Sequence, residues 1–342
     1  MTTHLIVGAG PVGTSTALQL ADAGEHVRLV TRSGSGPAHP QIERSALDAG
    51  DADSLARAAA GVGAIYNCAN PPYHRWATMW PPIAAALLHA AERSGAVLVT
   101  TSNLYVYGPV SAPMTEERPL AATGTKGRVR VKMWQDALDA HRAGRIRATE
   151  ARASDFYGPG VVNAMLGERS MRRLVAGKKV QVVGNPDALH SVTYVPDVAR
   201  LLIVLATDER AWGRAWHVPS APALTTRETV RTIAAAASTP EPKTVGIPRP
   251  LLRVAGLIVP AVRELRETMH QFDNDWVLDS SLAERTFGLA PTSLDEGARA
   301  TIAALRPNAL DAATCTGDAR AGSDPRGGSR CLGDLVFPLV GA

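Results

Sequence analysis

The stretch His4-Leu5-Ile6-Val7-Gly8-Ala9-Gly10-Pro11-Val12-Gly13 decides the fold of this chain. Residues typical of a buried strand lead directly into a G-x-G-x-x-G motif, and a helical pattern follows from Thr14 to Ala23. The first glycine of such a motif permits a tight turn, the second lets a pyrophosphate approach the backbone, and the third lets helix and strand pack closely. The position between strand and helix therefore predicts a dinucleotide-binding loop. Its cofactor-binding residues are Gly8, Gly10, Pro11, Val12 and Gly13.

Strand-like and helix-like segments continue to alternate up to about residue 160. The further strand-like segments are His26–Thr31, Ala64–Cys68, Val97–Thr101 and Arg147–Ala153, with helical patterns between them. This alternation predicts an α/β protein with a Rossmann-type, doubly wound parallel sheet. The pattern loosens after the breaker Gly158-Pro159-Gly160. We therefore expect a dinucleotide-binding domain over 1–160 and a smaller C-terminal substrate lobe over 161–305 that returns some elements to the sheet.

The last segment, 306–342, differs in composition from the rest of the chain. It is rich in Gly, Asp, Arg and Ala, and no apolar period occurs before Leu332. Such a segment cannot bury enough apolar surface to offset the entropy of ordering. It is predicted to be a disordered tail.

The overall composition is that of an ordinary globular protein, with 45% hydrophobic and 20% charged residues among 342. A net charge of +4 is small for this length and argues against a nucleic-acid partner. The three cysteines, Cys68, Cys315 and Cys331, are far apart, which predicts neither a disulfide framework nor a metal site.

No segment has the character of a membrane span or a targeting sequence. The N-terminus runs directly into a strand without a basic region, which argues against a signal peptide. The apolar stretch Leu251–Val262 is interrupted by Arg253 and Pro260 and is too short to cross a bilayer, so we expect a buried or lid helix there. A cytoplasmic enzyme without a membrane partner is the resulting expectation.

The choice of dinucleotide depends on the end of the second strand, Thr31-Arg32-Ser33. Sites for NAD usually place a carboxylate there to bind the ribose hydroxyls. None is present, and the guanidinium of Arg32 is suited to pair with a 2′-phosphate. This favours NADP over NAD, although a solvated surface arginine gives the same sequence.

Taken in order, the motifs resemble the extended short-chain dehydrogenase/reductase family, also called the NAD-dependent epimerase/dehydratase family, over about residues 3–305. The segments that carry the resemblance are Gly8–Gly13, Asp48–Leu55, Asn67–Asn70, Ser102–Gly108, Glu116–Pro119, Arg152–Gly160, His190–Ala199 and Asp279–Thr292. The resemblance implies that Asp48 contacts the adenine amine. It also implies a nucleotide path lined by Asn67, Cys68, Ala69 and Asn70. Substrates of the family are often nucleotide sugars or small carbonyl and alcohol compounds, and the family often forms homodimers.

The sequence departs from the family pattern at three points. Val7 stands where the usual first glycine of the loop would be, and Asn103 occupies the position of the catalytic serine or threonine. The third departure is that no Y-x-x-x-K pair exists in the chain. Lys132 is the best match to the family lysine, which would hold the nicotinamide ribose, because Asp136 follows at the usual acidic position. Arg128 then stands at the place of the tyrosine.

An arginine cannot replace a phenol as acid and base, because the guanidinium stays protonated near neutral pH. Arg128 is instead suited to polarise a carbonyl or bind an anionic substrate. Tyr105 is a candidate proton donor, whereas Tyr107 matches a family tyrosine that is usually structural. Asn103 is suited to orient a carbonyl through its amide, or only to stabilise a turn.

The predicted catalytic residues are therefore Asn103, Tyr105, Arg128 and Lys132. The predicted substrate contacts are Tyr73, Asp155 and His190. The function that follows is an NADP-dependent oxidoreductase or epimerase-like enzyme with a non-standard active site. Two alternatives stay open, an NADP(H)-binding protein without redox turnover and a non-redox isomerase or cyclase on the same scaffold.

Overall fold

The computed structural model describes residues 2–162, 164–258 and 260–305. The strands in these ranges are β1 Thr3–Val7, β2 His26–Thr31, β3 Ile42–Ala46, β4 Ala64–Asn67, β5 Val97–Asn103, β6 Arg147–Ala153, β7 Asp155–Tyr157, β8 Val180–Val182, β9 Leu189–His190, β10 Val192–Tyr194, β11 Ala215–His217, β12 Leu224–Thr225 and β13 Thr244–Gly246. The helices are α1 Pro11–Asp22, α2 Ala52–Ala58, α3 Trp76–Ser94, α4 Thr125–Arg142, α5 Glu168–Val175, α6 Val195–Thr207, α7 Thr226–Ala236, α8 Arg249–Ile258, α9 Pro260–Glu264, α10 His270–Asp273, α11 Ser281–Phe287 and α12 Leu294–Leu305.

A seven-stranded parallel sheet in the order β11-β6-β5-β4-β1-β2-β3 forms the centre of the described structure. The chain winds outward from β1 in both directions, so the strand order reverses between β1 and β4. Ligands of such sheets bind in the crevice beyond the carboxyl ends of the strands at this reversal. The predicted Rossmann-type fold is confirmed, and it places the glycine loop after β1 at the crevice.

Helices cover both faces of the sheet, as the buried strands require. On one face, α1 and α6 pack against alternate strand residues such as Ile6 and Val99. On the other face, α2, α3 and α4 pack against the neighbouring residues, such as Leu5 and Leu98. Because helices cover both faces of the sheet, side chains on both faces of the central strands are buried. This explains why the strand segments of the sequence are apolar at consecutive positions.

Residues from 155 onward build smaller units against the carboxyl edge of the sheet. The pairs β7–β10 and β8–β13 are parallel, and β9–β12 is antiparallel. Helices α5, α7 and α12 share one apolar cluster in this part. Strand β11 also lies beyond residue 160, yet it pairs with β6 at the edge of the central sheet.

The apolar stretch near residue 251 forms α8, which is only partly buried. Leu252 is buried, whereas Leu251, Val254 and Leu257 are exposed. None of the described helices combines the length and apolar character needed to cross a membrane. The predicted tail 306–342, with Cys315 and Cys331, lies outside the described residues.

His217, at the end of β11, connects the edge of the sheet to neighbouring segments through two side-chain hydrogen bonds. Its side chain is fully buried. Nδ1 donates to the backbone carbonyl of Asp279 at 2.8 Å, and Nε2 accepts from the hydroxyl of Tyr107 at 2.7 Å. Burial lowers the pKa of His217 from 6.5 to about 4, so the folded state holds a neutral imidazole.

Protonation of His217 should therefore weaken the fold in mild acid. Between pH 6.5 and about 4 the unfolded histidine binds a proton that the folded one does not, so the free energy of unfolding falls as the pH falls. We expect this residue to account for a loss of about 3 kcal/mol across that window. Urea unfolding at several pH values should show a shallower pH dependence for His217→Gln than for the wild type. The matched control is His89→Gln, at a partly buried histidine on α3. An unchanged slope in His217→Gln would contradict the assignment.

Candidate active site

The glycine loop has the geometry that its sequence predicts. Gly8 has φ +102°, and a Cβ there would lie 2.7 Å from the carbonyl oxygen of Cys68. A Cβ on Gly13 would lie 1.9 Å from the carbonyl oxygen of Gly8, so helix and strand meet too closely for any side chain. Gly10 has open space at its Cβ position. The loop thus presents bare backbone at the start of α1, as a pyrophosphate requires.

A cavity of about 420 Å³ extends from this loop along the carboxyl edge of the sheet. Eleven predicted site residues line it: Gly10, Pro11, Val12, Arg32, Cys68, Ala69, Asn70, Tyr73, Asn103, Tyr105 and Asp155. These residues come from the ends of β1, β2, β4, β5 and β6 and from the segments that follow them. The sheet therefore brings together most of the residues singled out in the sequence.

Among the predicted cofactor residues, Asp48 and Asn67 lie away from this cavity. The carboxylate of Asp48 accepts from the backbone N–H of Gly50 at 2.9 Å and is exposed in the turn before α2. Asn67 is fully buried and lines a separate small cavity between the sheet and helices α3 and α4. Its side-chain oxygen accepts from the N–H of Ala69 at 3.3 Å, so it shapes the backbone at the strand end.

Arg128 and Lys132 are not brought to the cavity either. Arg128 is exposed and donates to the carbonyl of Thr123. Lys132 is also exposed and forms an ion pair with Asp136, with Nζ and Oδ1 2.5 Å apart. Arg128 lies two residues from the buried Lys126 and Arg130, and Lys132 lies two residues from Arg130. Residues two apart on a helix point in nearly opposite directions. The side chains of Arg128 and Lys132 therefore point away from the sheet. Their positions give no support to the catalytic roles expected from the sequence.

The buried face of α4 instead carries Lys126 and Arg130, four residues apart. This spacing equals that of the Y-x-x-x-K pair of the family that the sequence resembles. Neither residue was predicted as a site residue, because Y-x-x-x-K requires a lysine at its last position and residue 130 is an arginine. The signal was present in the apolar residues of α4, since Met133, Trp134 and Ala137 continue the same face.

Lys126 is buried and fully engaged by carboxylates from the C-terminal part of the chain. Its Nζ lies 2.6 Å from Oε2 of Glu264 and 3.3 Å from Oε2 of Glu267. The ammonium also lies 4.5 Å from the ring centroid of Tyr73. Lys126 therefore links α4 to the segment 264–271, which we call the strap.

Arg130 lines the cavity between two indole rings. Its guanidinium carbon lies 4.6 Å from the ring centroid of Trp76 and 4.3 Å from that of Trp80. Nη1 donates to the carbonyl of Thr101 at 3.3 Å. Burial lowers the pKa of Arg130 to about 10, so the group stays cationic near neutral pH. The stacking fixes the guanidinium in one place.

Tyr105 lines the cavity and packs against Tyr73 and Trp76, with ring centroids 6.4 Å and 6.2 Å away. Tyr73 also exchanges a hydrogen bond with Thr268 of the strap, the two oxygens lying 3.3 Å apart. Burial raises the pKa of Tyr105 to about 12, and the nearby Arg130 opposes that shift. The phenol is thus protonated at neutral pH and faces the cavity as a donor.

Asn103 and Asp155 complete the wall near Tyr105. The side-chain oxygen of Asn103 accepts from the N–H of Tyr105 at 3.2 Å, so it stabilises the turn after β5. Oδ2 of Asp155 lies 3.0 Å from Nε2 of His190, and Nδ1 of His190 lies 3.1 Å from the carbonyl oxygen of Gln271. His190 is buried behind Asp155 and orients it.

The sequence and the fold agree on the family. The sequence model described as NAD dependent epimerase/dehydratase family matches residues 4–218, and the chain belongs to this family. Membership identifies it as an enzyme of the epimerase/dehydratase class. Among curated proteins, no sequence matches this chain.

Several solved structures share the fold. A dTDP-glucose 4,6-dehydratase from Bacillus anthracis in complex with NAD has 16% sequence identity and a TM-score of 0.71, covering 89% of this chain and 96% of its own. A UDP-glucose 4-epimerase from Thermotoga maritima with UDP-glucose has 16% identity and a TM-score of 0.71, covering 88% and 98%. An epimerase from Methanothermobacter thermautotrophicus has 19% identity and a TM-score of 0.74, covering 89% and 91%. At these identities the similarity shows the fold alone.

Proposed function

We propose that this chain is an NADP-dependent oxidoreductase or epimerase-like enzyme for a small carbonyl, alcohol or sugar-type substrate, with Tyr105 exchanging the proton. One observation carries the proposal. A single cavity has the bare backbone of Gly10 at its cofactor end and the phenol of Tyr105 on its wall. When bound, the dinucleotide supplies or accepts a hydride.

Tyr105 is the group best placed to move the proton in that reaction. In the reducing direction its phenol gives a proton to the substrate oxygen while the carbonyl carbon receives the hydride, and the resulting phenolate is reprotonated from solvent. The nearby charge of Arg130 favours that phenolate. Lys126 is less suited to this step, because two carboxylates already hold its ammonium.

The remaining wall residues would position the substrate. Asp155 and Tyr73 line the cavity and are themselves held by His190 and Thr268. The amide nitrogen of Asn103 is a suitable donor for a substrate carbonyl, since its oxygen is engaged in the turn. Positions fixed in this way reduce the entropy lost when substrate binds.

Arg32 supports the choice of NADP over NAD. It is exposed at the cofactor end of the cavity, directly after β2. A guanidinium at this place binds a 2′-phosphate and gains nothing comparable from a ribose hydroxyl.

Replacing Arg32 with alanine should therefore lower NADPH affinity by about 10- to 100-fold, the range for a hydrogen bond between charged groups. NADH affinity should change little. Titrations followed by NAD(P)H fluorescence give both constants. Arg44 on the adjacent β3 donates to the carbonyl of Gly36 and provides the control Arg44→Ala. An unchanged NADPH-to-NADH ratio in Arg32→Ala would refute the NADP assignment.

The activity itself is tested on one sample of the full chain. NADPH is titrated first, and a panel of carbonyl compounds and sugar nucleotides is then followed at the nicotinamide absorption band. Binding with oxidation supports the proposal. Binding without conversion of any compound favours an NADP(H)-binding protein, and conversion without an absorbance change favours epimerisation or a non-redox isomerase or cyclase.

A further inference from the structure

Three cationic side chains are buried among the described residues, and their surroundings differ. Lys126 has the carboxylates of Glu264 and Glu267. Arg152 has an ion pair with Glu150, 2.7 Å between Nε and Oε1. For Arg130, 4% exposed, the described part of the chain offers no carboxylate within 4.0 Å.

An unpaired buried cation is costly, because desolvation is not offset by a counter-charge. Glu150 raises the pKa of Arg130 from a distance, but its carboxylate is committed to Arg152. Within the described residues, Nε of Arg130 has no hydrogen-bond partner at all. The guanidinium of Arg130 is therefore held in a buried position but lacks both a nearby carboxylate and a hydrogen-bond acceptor for Nε among the described residues.

The cavity wall beside Arg130 is also short of polar partners. Ser102 and Ser154 are among the residues that line this cavity; their hydroxyls are buried beneath its surface and have no partner among the residues described. The indoles of Trp76 and Trp80 contact the guanidinium but offer it no acceptor oxygen. A buried cation that lines this cavity without a nearby carboxylate among the described residues indicates an anionic ligand.

We infer that Arg130 binds an oxyanion of the substrate, a carboxylate or phosphate, next to Tyr105. The planar guanidinium matches either group in a two-point contact. The inference rests on the proposed function only in placing substrate and cofactor in the same cavity. It narrows the substrate class to carbonyl or alcohol compounds that carry a negative charge near the reacting carbon.

Calorimetric titration of the full chain tests this inference, with and without saturating NADP⁺. The probes are pyruvate, its uncharged methyl ester and inorganic phosphate. We expect pyruvate or phosphate to bind, and the tighter of the two identifies the preferred oxyanion. If the carboxylate is preferred, the ester should bind at least tenfold more weakly than pyruvate. Arg130→Gln should weaken the preferred oxyanion by about 10- to 100-fold.

Two further variants separate this role from a structural one. Arg142→Gln removes an exposed arginine from the same helix and should leave oxyanion binding unchanged. Arg130→Lys keeps the charge and should retain part of the affinity, even if Arg130→Gln fails to fold.

The inference is overturned if neither oxyanion binds the wild type. It is also overturned if Arg130→Lys and any folded Arg130→Gln lose only NADP⁺ affinity, since Arg130 would then hold the cofactor. Oxyanion binding that depends on Arg130 in a chain that does not bind NADP⁺ would support this inference and refute the proposed function.

Discussion

Replacing Tyr105 with phenylalanine is expected to lower kcat by about 10²- to 10⁴-fold, the usual contribution of one general acid. The ring still packs against Tyr73 and Trp76, and only the hydroxyl is lost. NADPH affinity should be nearly unchanged, because the phenol is not part of the glycine loop. The measurements are steady-state turnover with a substrate found in the panel and an NADPH titration of the same preparation.

Tyr66→Phe is the matched control for this experiment. Tyr66 is a fully buried tyrosine on β4 whose hydroxyl lies 3.3 Å from Nδ1 of His4 and away from the cavity. It should show wild-type kcat. Equal turnover in Tyr105→Phe and Tyr66→Phe would show that another group provides the proton, and the site would have to be assigned again.

A pair of alanine substitutions in the glycine loop should separate folding from cofactor binding. In Gly13→Ala the new methyl overlaps the carbonyl of Gly8, so the backbone must move. We expect a loss of about 3 kcal/mol in the free energy of unfolding, at the upper end for overpacking. NADPH binding should also be lost, because the displaced segment carries the phosphate-binding amides.

Gly10→Ala should have the wild-type free energy of unfolding but bind NADPH more weakly. Gly10 has φ −69°, which any residue adopts, and its Cβ position is open. The methyl would occupy the approach of the pyrophosphate, so we expect about 10- to 100-fold weaker NADPH binding. Urea unfolding and NADPH titration of both variants supply the data. Wild-type NADPH affinity in Gly10→Ala would contradict the assigned phosphate path.

The sequence was sufficient for the fold because its signals are local and repeated. The G-x-G-x-x-G turn and alternating apolar strands predict the parallel sheet without reference to distant residues. Positions at strand ends, such as Arg32, Cys68 and Asp155, were also predictable, since parallel strands bring their carboxyl ends to one edge. The sheet gathers them in one cavity.

The rotation of α4 was harder to predict from a motif alone. Matching Lys132 to a family lysine placed Arg128 at the site, whereas packing against the sheet turns Lys126 and Arg130 inward. The partners of these two residues were not predictable either. Glu264 lies 138 residues from Lys126 along the chain, and no local pattern indicates that they meet.

The position of the strap in the sequence determines when Lys126 gains its carboxylate partners during synthesis of the chain. The glycine loop is synthesised first, while Glu264, Glu267 and Thr268 leave the ribosome more than 100 residues after Lys126. A nascent chain that has completed α4 therefore carries the dinucleotide loop but lacks the carboxylates that neutralise Lys126. Lys126 therefore gains its carboxylate partners only after all seven strands of the central sheet have been synthesised.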